Sequence, residues 1–156
     1  MKLSNQLRHI ANIVLRMEHY KKHHIPSGED LDRIHVEFLG EYKGYKFWLV
    51  DGSYVRDSIE IDFIEGGNPG RYGYVPEDEI WIEKIMAPKD QLSTMVHEFI
   101  EMKRMENKHW DYDKAHNYSS NFEEKIRKSL PDKLPPNISL FNSFKNAIEQ
   151  LKIKLT

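Results

Sequence analysis

The segment His97-Glu98-Phe99-Ile100-Glu101, followed by His116, constrains the fold of this chain more than any other feature of its sequence. Residues four apart lie on one face of a helix, so the imidazole of His97 and the carboxylate of Glu101 can point at one ion. Glu98 lies about 100° further round the helix, close to that ion but turned away from it. The spacing therefore predicts a helix with two metal ligands and a general base, and a second helix that brings His116 as third ligand.

The context of this motif adds to a signal that is weak on its own. With 8 His in the chain, a His-Glu-x-x-(His or Glu) pattern arises by chance in roughly one chain in nine of this composition. Here the motif falls within a predicted helix, an alternating strand comes just before it, and a second His lies on the next predicted helix. The alternative interpretation is a charged, solvated helix face on which Glu101 and Arg104 are ordinary neighbours.

The size and charge of the chain disfavour several classes of protein. A chain of 156 residues suggests one domain that can bury a core without disulfides. The net charge of −2 gives no reason to expect a nucleic-acid partner, and no apolar run approaches the length of a membrane span. The lack of Cys removes thiolate zinc sites and cysteine nucleophiles. We expect a cytoplasmic protein, because no signal peptide is recognisable and a chain without Cys fits a reducing compartment.

The first part of the chain predicts one helix and then three strands. Apolar residues recur at three- and four-residue steps over residues 4–24, which predicts an amphipathic helix. Over residues 34–64 the apolar residues alternate instead, with turn signals at Tyr42-Lys43-Gly44 and Asp51-Gly52. We therefore expect a meander of three antiparallel strands, the third of which spans residues 54–63.

A glycine-rich loop and one further strand lead to the central helix. The loop at residues 66–73 lacks the Gly-Lys-Ser/Thr ending of a phosphate-binding loop, so it is either a long hairpin connection or a mobile flap beside the site. Residues 74–83 form the next predicted strand, with Trp81 on the face opposite to its neighbours and Pro76 indicating a sheet edge. An edge strand beside a metal helix could pair with an extended peptide.

Two helices carry the predicted metal ligands. Pro88 opens the first of them at a favoured first-turn position, and the polar residues 106–108 end it. Asp111 or Asp113 can cap the second helix, which has His116 in its first turn. A short connection between the two helices would bring their facing side chains together.

The predicted fold class is α+β. A small antiparallel or mixed sheet packs against the metal helix and the following ligand helix, with extra N- and C-terminal amphipathic helices. We expect one domain over residues 1–130, with its core at about 34–130, followed by a Pro-rich linker and a C-terminal helix over residues 131–156. Ser139 caps that last helix. The sequence does not decide whether the terminal helices pack on the sheet, on each other or across a dimer.

The predicted ligand set suits zinc. A catalytic zinc ion has three protein ligands and an open fourth position, and two imidazoles with one carboxylate, here His97, His116 and Glu101, are a sufficient set. Zinc lowers the pKa of its bound water to near 7. Glu98 would take a proton from that water and later pass it to a leaving amine.

Two features of this site stay open in the sequence. A carboxylate ligand in the helix also suits Mn²⁺ or Fe²⁺. Tyr112, His109 and Tyr118 are all close enough in sequence to stabilise an oxyanion, and the sequence does not choose among them.

The central helix resembles that of zincin metallopeptidases, whose usual motif is His-Glu-x-x-His with a later Glu or His. The segment at about 42–127 resembles more closely a group of small prokaryotic and phage proteins. They share a strand like residues 75–82, then His97-Glu98-x-x-Glu101, then Tyr112-Asp113-x-Ala115-His116. This resemblance implies a zincin-like fold with a strand before the metal helix, and a protease role. In this chain the second ligand is Glu rather than His, and the third is His rather than Glu.

Two functions are compatible with these patterns. The first is a zinc-dependent hydrolase, most simply a metallopeptidase, that uses Glu98 as general base and acts on a peptide or protein. The second is a non-catalytic protein-interaction module with a structural or vestigial metal site, for which amphipathic terminal helices would supply a docking surface.

Overall fold

The computed structural model of the protein describes residues 25–151 together with Leu7, Ile10, Ala11 and Val14. These four residues are helical and their side chains are exposed. The rest of the helix predicted for residues 4–24 lies outside the described residues, as do residues 152–156. Among the described residues, no helix combines the length and the apolar character that crossing a membrane requires.

The described chain combines helices with a mixed sheet, which confirms the predicted α+β class. The helices over residues 88–108 and 112–129 are the longest elements and follow one another directly. In chain order the elements are α1 (Gly28–Ile34), β1 (His35–Tyr42), β2 (Tyr45–Val50), α2 (Gly52–Ser58), β3 (Gly66–Gly67), β4 (Glu79–Glu83), α3 (Pro88–Lys108), α4 (Tyr112–Ser129) and α5 (Leu140–Gln150).

The four strands form a mixed sheet in the order β1-β2-β4-β3. Strands β1 and β2 are antiparallel, and the tight turn between them has positive φ at Lys43 and Gly44, as two-residue hairpins favour. Strand β4 pairs in parallel with β2, and the short strand β3 pairs antiparallel with β4. The sheet therefore combines a local hairpin with a long-range parallel pairing.

The predicted third strand of a meander is wrong. Residues 54–58, the first half of the predicted strand, belong to the helix α2. Asp51 caps this helix by accepting a hydrogen bond from the Tyr54 backbone N–H at 3.2 Å. The apolar residues Val55 and Ile59 are buried four residues apart, a spacing that fits a helix as well as a strand. Because β2 and β4 are parallel, the chain between them must return across the sheet, and a hairpin cannot do this.

The prediction of an edge strand before the central helix is also wrong. Strand β4 covers only Glu79–Glu83 and lies between β2 and β3, with all five residues buried. Its predicted alternation is confirmed, because Ile80 and Ile82 contact one core cluster and Trp81 contacts another. The edge beside β4 is occupied by β3, which pairs with it at Gly66 and Gly67.

The core has two parts, one for each face of the sheet. On one face, α3 packs against Phe47, Ile80 and Ile82, and α5 adds Phe144 and Ile148 to the same cluster. On the other face, a smaller cluster covers Trp81. It consists of Ile34, Val50, Val55, Ile59, Phe63, Tyr74 and Val75. Helix α3 is thus fixed by its apolar side, and its opposite side faces α4.

We expect Phe144→Ala to lower the free energy of unfolding by about 3–5 kcal/mol. Phe144 is fully buried, and its ring centre lies 4.7 Å from that of Phe47 and 5.4 Å from that of Phe99. Removing the ring opens a cavity between α5, the sheet and α3. Denaturant unfolding followed by circular dichroism measures the change.

The control for this variant is Ile85→Ala, because Ile85 is 80% exposed. It should change the free energy of unfolding by less than about 0.5 kcal/mol. Equal stability of Phe144→Ala and the wild type would show that α5 is not part of the core.

Candidate metal centre

Helices α3 and α4 are held antiparallel by a short connection. His109 ends α3 in the left-handed conformation with φ 54°, and its backbone N–H donates to the carbonyl of Arg104. Asp111 then caps α4 by accepting a hydrogen bond from the Lys114 backbone N–H at 2.9 Å, as predicted. Because only residues 109–111 separate the helices, the start of α4 lies against the second half of α3. This arrangement brings His116 to Glu101.

The three predicted ligands meet in one cluster. The Nε2 atom of His97 lies 3.0 Å from Oε2 of Glu101 and 3.2 Å from Nδ1 of His116. The same Glu101 oxygen lies 2.9 Å from His116 Nδ1. Each residue therefore directs one ligand atom to a common point, and the three together could hold a metal ion.

The dimensions of this triangle suit a tetrahedral zinc ion. Zinc binds imidazole nitrogen and carboxylate oxygen at about 2.0–2.2 Å, so two ligand atoms of a tetrahedral site lie about 3.3–3.5 Å apart. The observed separations are 2.9–3.2 Å. An outward shift of a few tenths of an ångström by each atom would complete the geometry. Two imidazoles and one carboxylate leave the fourth position open, as catalytic zinc requires.

Glu123 contacts His97 on the side of the imidazole that faces away from the cluster. Its Oε2 lies 2.8 Å from Nδ1 of His97, the nitrogen that does not face the cluster. Its other oxygen accepts a hydrogen bond from Arg127 at 2.9 Å, and Arg127 also pairs with Asp90 at the start of α3. A carboxylate on the outer nitrogen of a metal-bound imidazole fixes the ring and raises its basicity. This chain of charges also joins α4 to α3.

Asn68, in the glycine-rich loop, connects the two glutamates. Its Nδ2 donates to Oε2 of Glu98 at 2.6 Å and to Oε1 of Glu101 at 2.9 Å. Asn68 is fully buried, and its Oδ1 accepts a hydrogen bond from the Arg71 backbone N–H at 3.1 Å. The loop predicted as a hairpin connection or flap therefore forms one wall of the site.

The cluster changes the proton affinities of its members. Burial disfavours charge on His97, but the carboxylates of Glu101 and Glu123 outweigh burial and raise its pKa to about 10. Burial and the nearby charge of Glu101 raise the pKa of Glu98. Burial acts in the same direction on Glu101, but hydrogen bonds with His116 and His97 lower its pKa overall. A metal cation would therefore compete with a proton held between His97 and the carboxylates.

A cavity of about 270 Å³ opens over the cluster and gives it access to solvent. Glu98 and Tyr112 line it, together with the three ligand residues. The hydroxyl of Tyr112 lies 3.2 Å from Nδ1 of His116. Burial and the charge of Glu101 raise the pKa of Tyr112 to about 12, so its phenol keeps its proton at neutral pH and can donate a hydrogen bond.

The structure distinguishes between the three residues that the sequence offers as hydrogen-bond donors to an oxyanion. Tyr112 lies at the cavity, whereas Tyr118 accepts a hydrogen bond from Arg104 at 3.0 Å and packs its ring against Trp110. His109 is the exposed residue that ends α3. Neither Tyr118 nor His109 lines the cavity.

The sequence interpretation missed two residues of the site. Glu123 follows His116 by seven residues, which is two helical turns. Helical spacing could therefore have indicated that Glu123 and His116 lie on the same face of α4. Asn68 lies in an irregular loop, 30 residues before Glu98. No local pattern in the sequence indicates that contact.

The chain matches no family model, and no curated protein or solved structure is significantly similar to it. The resemblance to zincin metallopeptidases therefore stays a prediction.

We expect protein purified without added metal to contain about one zinc ion per chain, and His116→Ala to contain little, because three protein ligands are the minimum for catalytic zinc. Elemental analysis measures both. His109→Asn is the matched control, since His109 is exposed, lies outside the cluster and has a left-handed backbone that Asn tolerates. Metal-free wild-type protein that is folded and takes up no added zinc would show that the cluster is only a buried hydrogen-bond network.

We expect Glu123→Gln to weaken zinc binding by about tenfold to a hundredfold, because the amide supports the His97 imidazole less well than the carboxylate does. Competition with a zinc-binding dye measures the affinity. Glu124→Gln is the control on the next residue of α4, where it breaks only an exposed ion pair with Lys128. Equal affinities of the two variants would mean that Glu123 does not act on the metal site.

Proposed function

We propose that the protein is a metal-dependent hydrolase, a zincin-type metallopeptidase that holds zinc between His97, Glu101 and His116. The observation that carries this proposal is the convergence of three ligand atoms within 3.2 Å of one another at the base of an open cavity. Glu98, a carboxylate that is not one of the three ligands, lines the same cavity. This combination supports a catalytic zinc ion better than a structural one, since a structural zinc site is closed by four protein ligands.

Charge supports the presence of a cation at this site. His97, Glu98 and Glu101 are each less than a tenth exposed, and the carboxylates outnumber the imidazolium that a proton on His97 would supply. The nearby cation Arg127 is already engaged with Glu123 and Asp90. Burial and the charge of Glu101 raise the pKa of Glu98, and a divalent ion would offset both effects by allowing the two glutamates to ionise together.

Zinc, when bound, would acidify a water molecule and polarise the scissile carbonyl. Glu98 is the general base, which accepts a proton from the attacking water on a carboxylate oxygen and later donates it to the leaving amine. Asn68 holds the Glu98 carboxylate in position through its hydrogen bond at 2.6 Å. The raised pKa of Glu98 suits this role, because a base that must also act as an acid works best with a pKa near the operating pH.

Tyr112 is the oxyanion donor in this proposal. Its hydroxyl lies 3.2 Å from His116 Nδ1 and therefore borders the position where the carbonyl oxygen would develop charge. A phenol whose pKa is raised to about 12 keeps its proton and can donate a hydrogen bond throughout the reaction.

The alternative of a non-catalytic interaction module has less support. It draws on the docking surface that the two terminal amphipathic helices could offer, of which the N-terminal one lies mostly outside the described residues. In α5, however, Phe144, Ala147 and Ile148 are buried in the core cluster with α3 and the sheet. The apolar stripe of this helix is therefore already covered.

We expect Glu98→Gln to keep its zinc and to lose about a hundredfold to ten-thousandfold in the rate of peptide hydrolysis, because Gln cannot accept the proton. A mixed peptide pool analysed by mass spectrometry detects cleavage, and elemental analysis gives the zinc content. Glu124→Gln is the control and should cleave as the wild type does. Full activity of Glu98→Gln would overturn the assignment of the base, and a zinc-loaded wild type that cleaves nothing would favour the interaction module.

A further inference from the structure

Arg71 is the one lysine or arginine among the described residues that line the cavity. Every other charged group on that wall is a carboxylate or belongs to the ligand imidazoles. Arg71 is exposed, and within the described part of the chain no carboxylate lies within ion-pair distance of it. An exposed guanidinium that has no carboxylate partner in the protein can bind one that belongs to a ligand.

Aromatic rings hold the guanidinium of Arg71 in place. Its Cζ lies 4.4 Å from the ring centre of Tyr112 and 5.3 Å from that of Tyr72. Its backbone N–H donates to Asn68, the residue that also binds Glu98. The charge thus lies against two aromatic rings, and no carboxylate among the described residues occupies its N–H groups.

Arg71 lies close to the metal cluster. Its Cζ lies 4.4 Å from the ring centre of Tyr112, and the hydroxyl of the same ring lies 3.2 Å from His116 Nδ1. An extended peptide advances about 3.3 Å per residue. A group within two or three residues of the bond at the cluster would therefore reach Arg71.

We propose that Arg71 binds a carboxylate of the substrate. The preferred substrate is then a peptide with an acidic side chain, or a free C-terminus, within a few residues of the bond that is cleaved. Guanidinium and carboxylate form two parallel hydrogen bonds of matching geometry, which gives both affinity and orientation. This specificity rests on the proposed hydrolase function, but carboxylate binding by Arg71 can be measured without hydrolysis.

The binding experiment uses zinc-loaded Glu98→Gln protein, so that no probe is consumed. The probes are short fluorescein-labelled Gly-Ala peptides: one amidated peptide with a central Glu, one with a central Gln, and the Gln peptide with a free C-terminal carboxylate. Fluorescence anisotropy measures their affinities. We expect at least one carboxylate peptide to bind about tenfold more tightly than the amidated Gln peptide. Whichever of the two carboxylate peptides binds more tightly shows whether Arg71 prefers a carboxylate on a side chain or at the C-terminus.

Three second substitutions in the Glu98→Gln protein test whether Arg71 is responsible. Arg71→Gln should abolish the preference for a carboxylate. Arg71→Lys should keep part of it, because the ammonium group keeps the charge but cannot form two parallel hydrogen bonds with a carboxylate. Arg33→Gln is the matched control, since Arg33 is also exposed and lies over a tyrosine ring, with its Cζ 5.7 Å from the ring centre of Tyr54. It should leave the preference unchanged.

The outcomes separate this inference from the hydrolase proposal. A preference that is lost in Arg71→Gln supports carboxylate binding even if the wild-type protein cleaves no peptide, in which case only the hydrolase proposal fails. Equal affinity for all three peptides, no binding of any of them, or a preference that persists in Arg71→Gln overturns the role of Arg71. If the wild type also cleaves the Glu and Gln peptides with the same kcat/KM, the hydrolase proposal stands without this specificity.

Discussion

The buried charges between α3 and α4 are the constraint on which the rest of this structure depends. Moving an ionised group out of water costs several kcal/mol even after the protein relaxes, and this is offset only where partners are held at the right distance. His97, Glu98 and Glu101 lie together at this interface, each less than a tenth exposed. The surrounding elements must therefore hold the two helices and their partners in a single arrangement.

The glycine-rich loop meets this requirement through close packing on α3. A Cβ atom at Gly66 would lie 2.7 Å from Thr94 and 3.2 Å from Glu98, and one at Gly70 would collide with Met105. Because these positions lack side chains, the loop backbone can lie directly against α3, and Asn68 between them reaches both glutamates. Glycine here allows two backbone segments to approach each other, whereas the sequence alone suggested a hairpin connection or a mobile flap.

The sequence predicts the parts of this structure that depend on interactions between residues close together in the chain. The bounds of α3, the caps Asp111 and Ser139, and the ligand spacing of His97 and Glu101 all follow from periodicity and capping within a few residues. The errors arise where distant segments decide the outcome. Asp51-Gly52 is a turn signal as well as a helix cap, and only the parallel pairing of β2 with β4 determines which one forms.

The contact of Asn68 with Glu101 also bears on which metal the site would prefer. A carboxylate can offer a metal one oxygen or two, but here Oε1 of Glu101 accepts a hydrogen bond from Asn68 while Oε2 alone faces the two imidazoles. In this arrangement Glu101 presents one oxygen to the cluster, so the three residues together offer three ligand atoms. Three ligands with two nitrogens favour a four-coordinate ion, as zinc forms, whereas Mn²⁺ prefers carboxylate, carbonyl and water oxygens in octahedral sites. In a metal-loaded protein, the buried amide of Asn68 would thus influence metal selectivity without touching the ion.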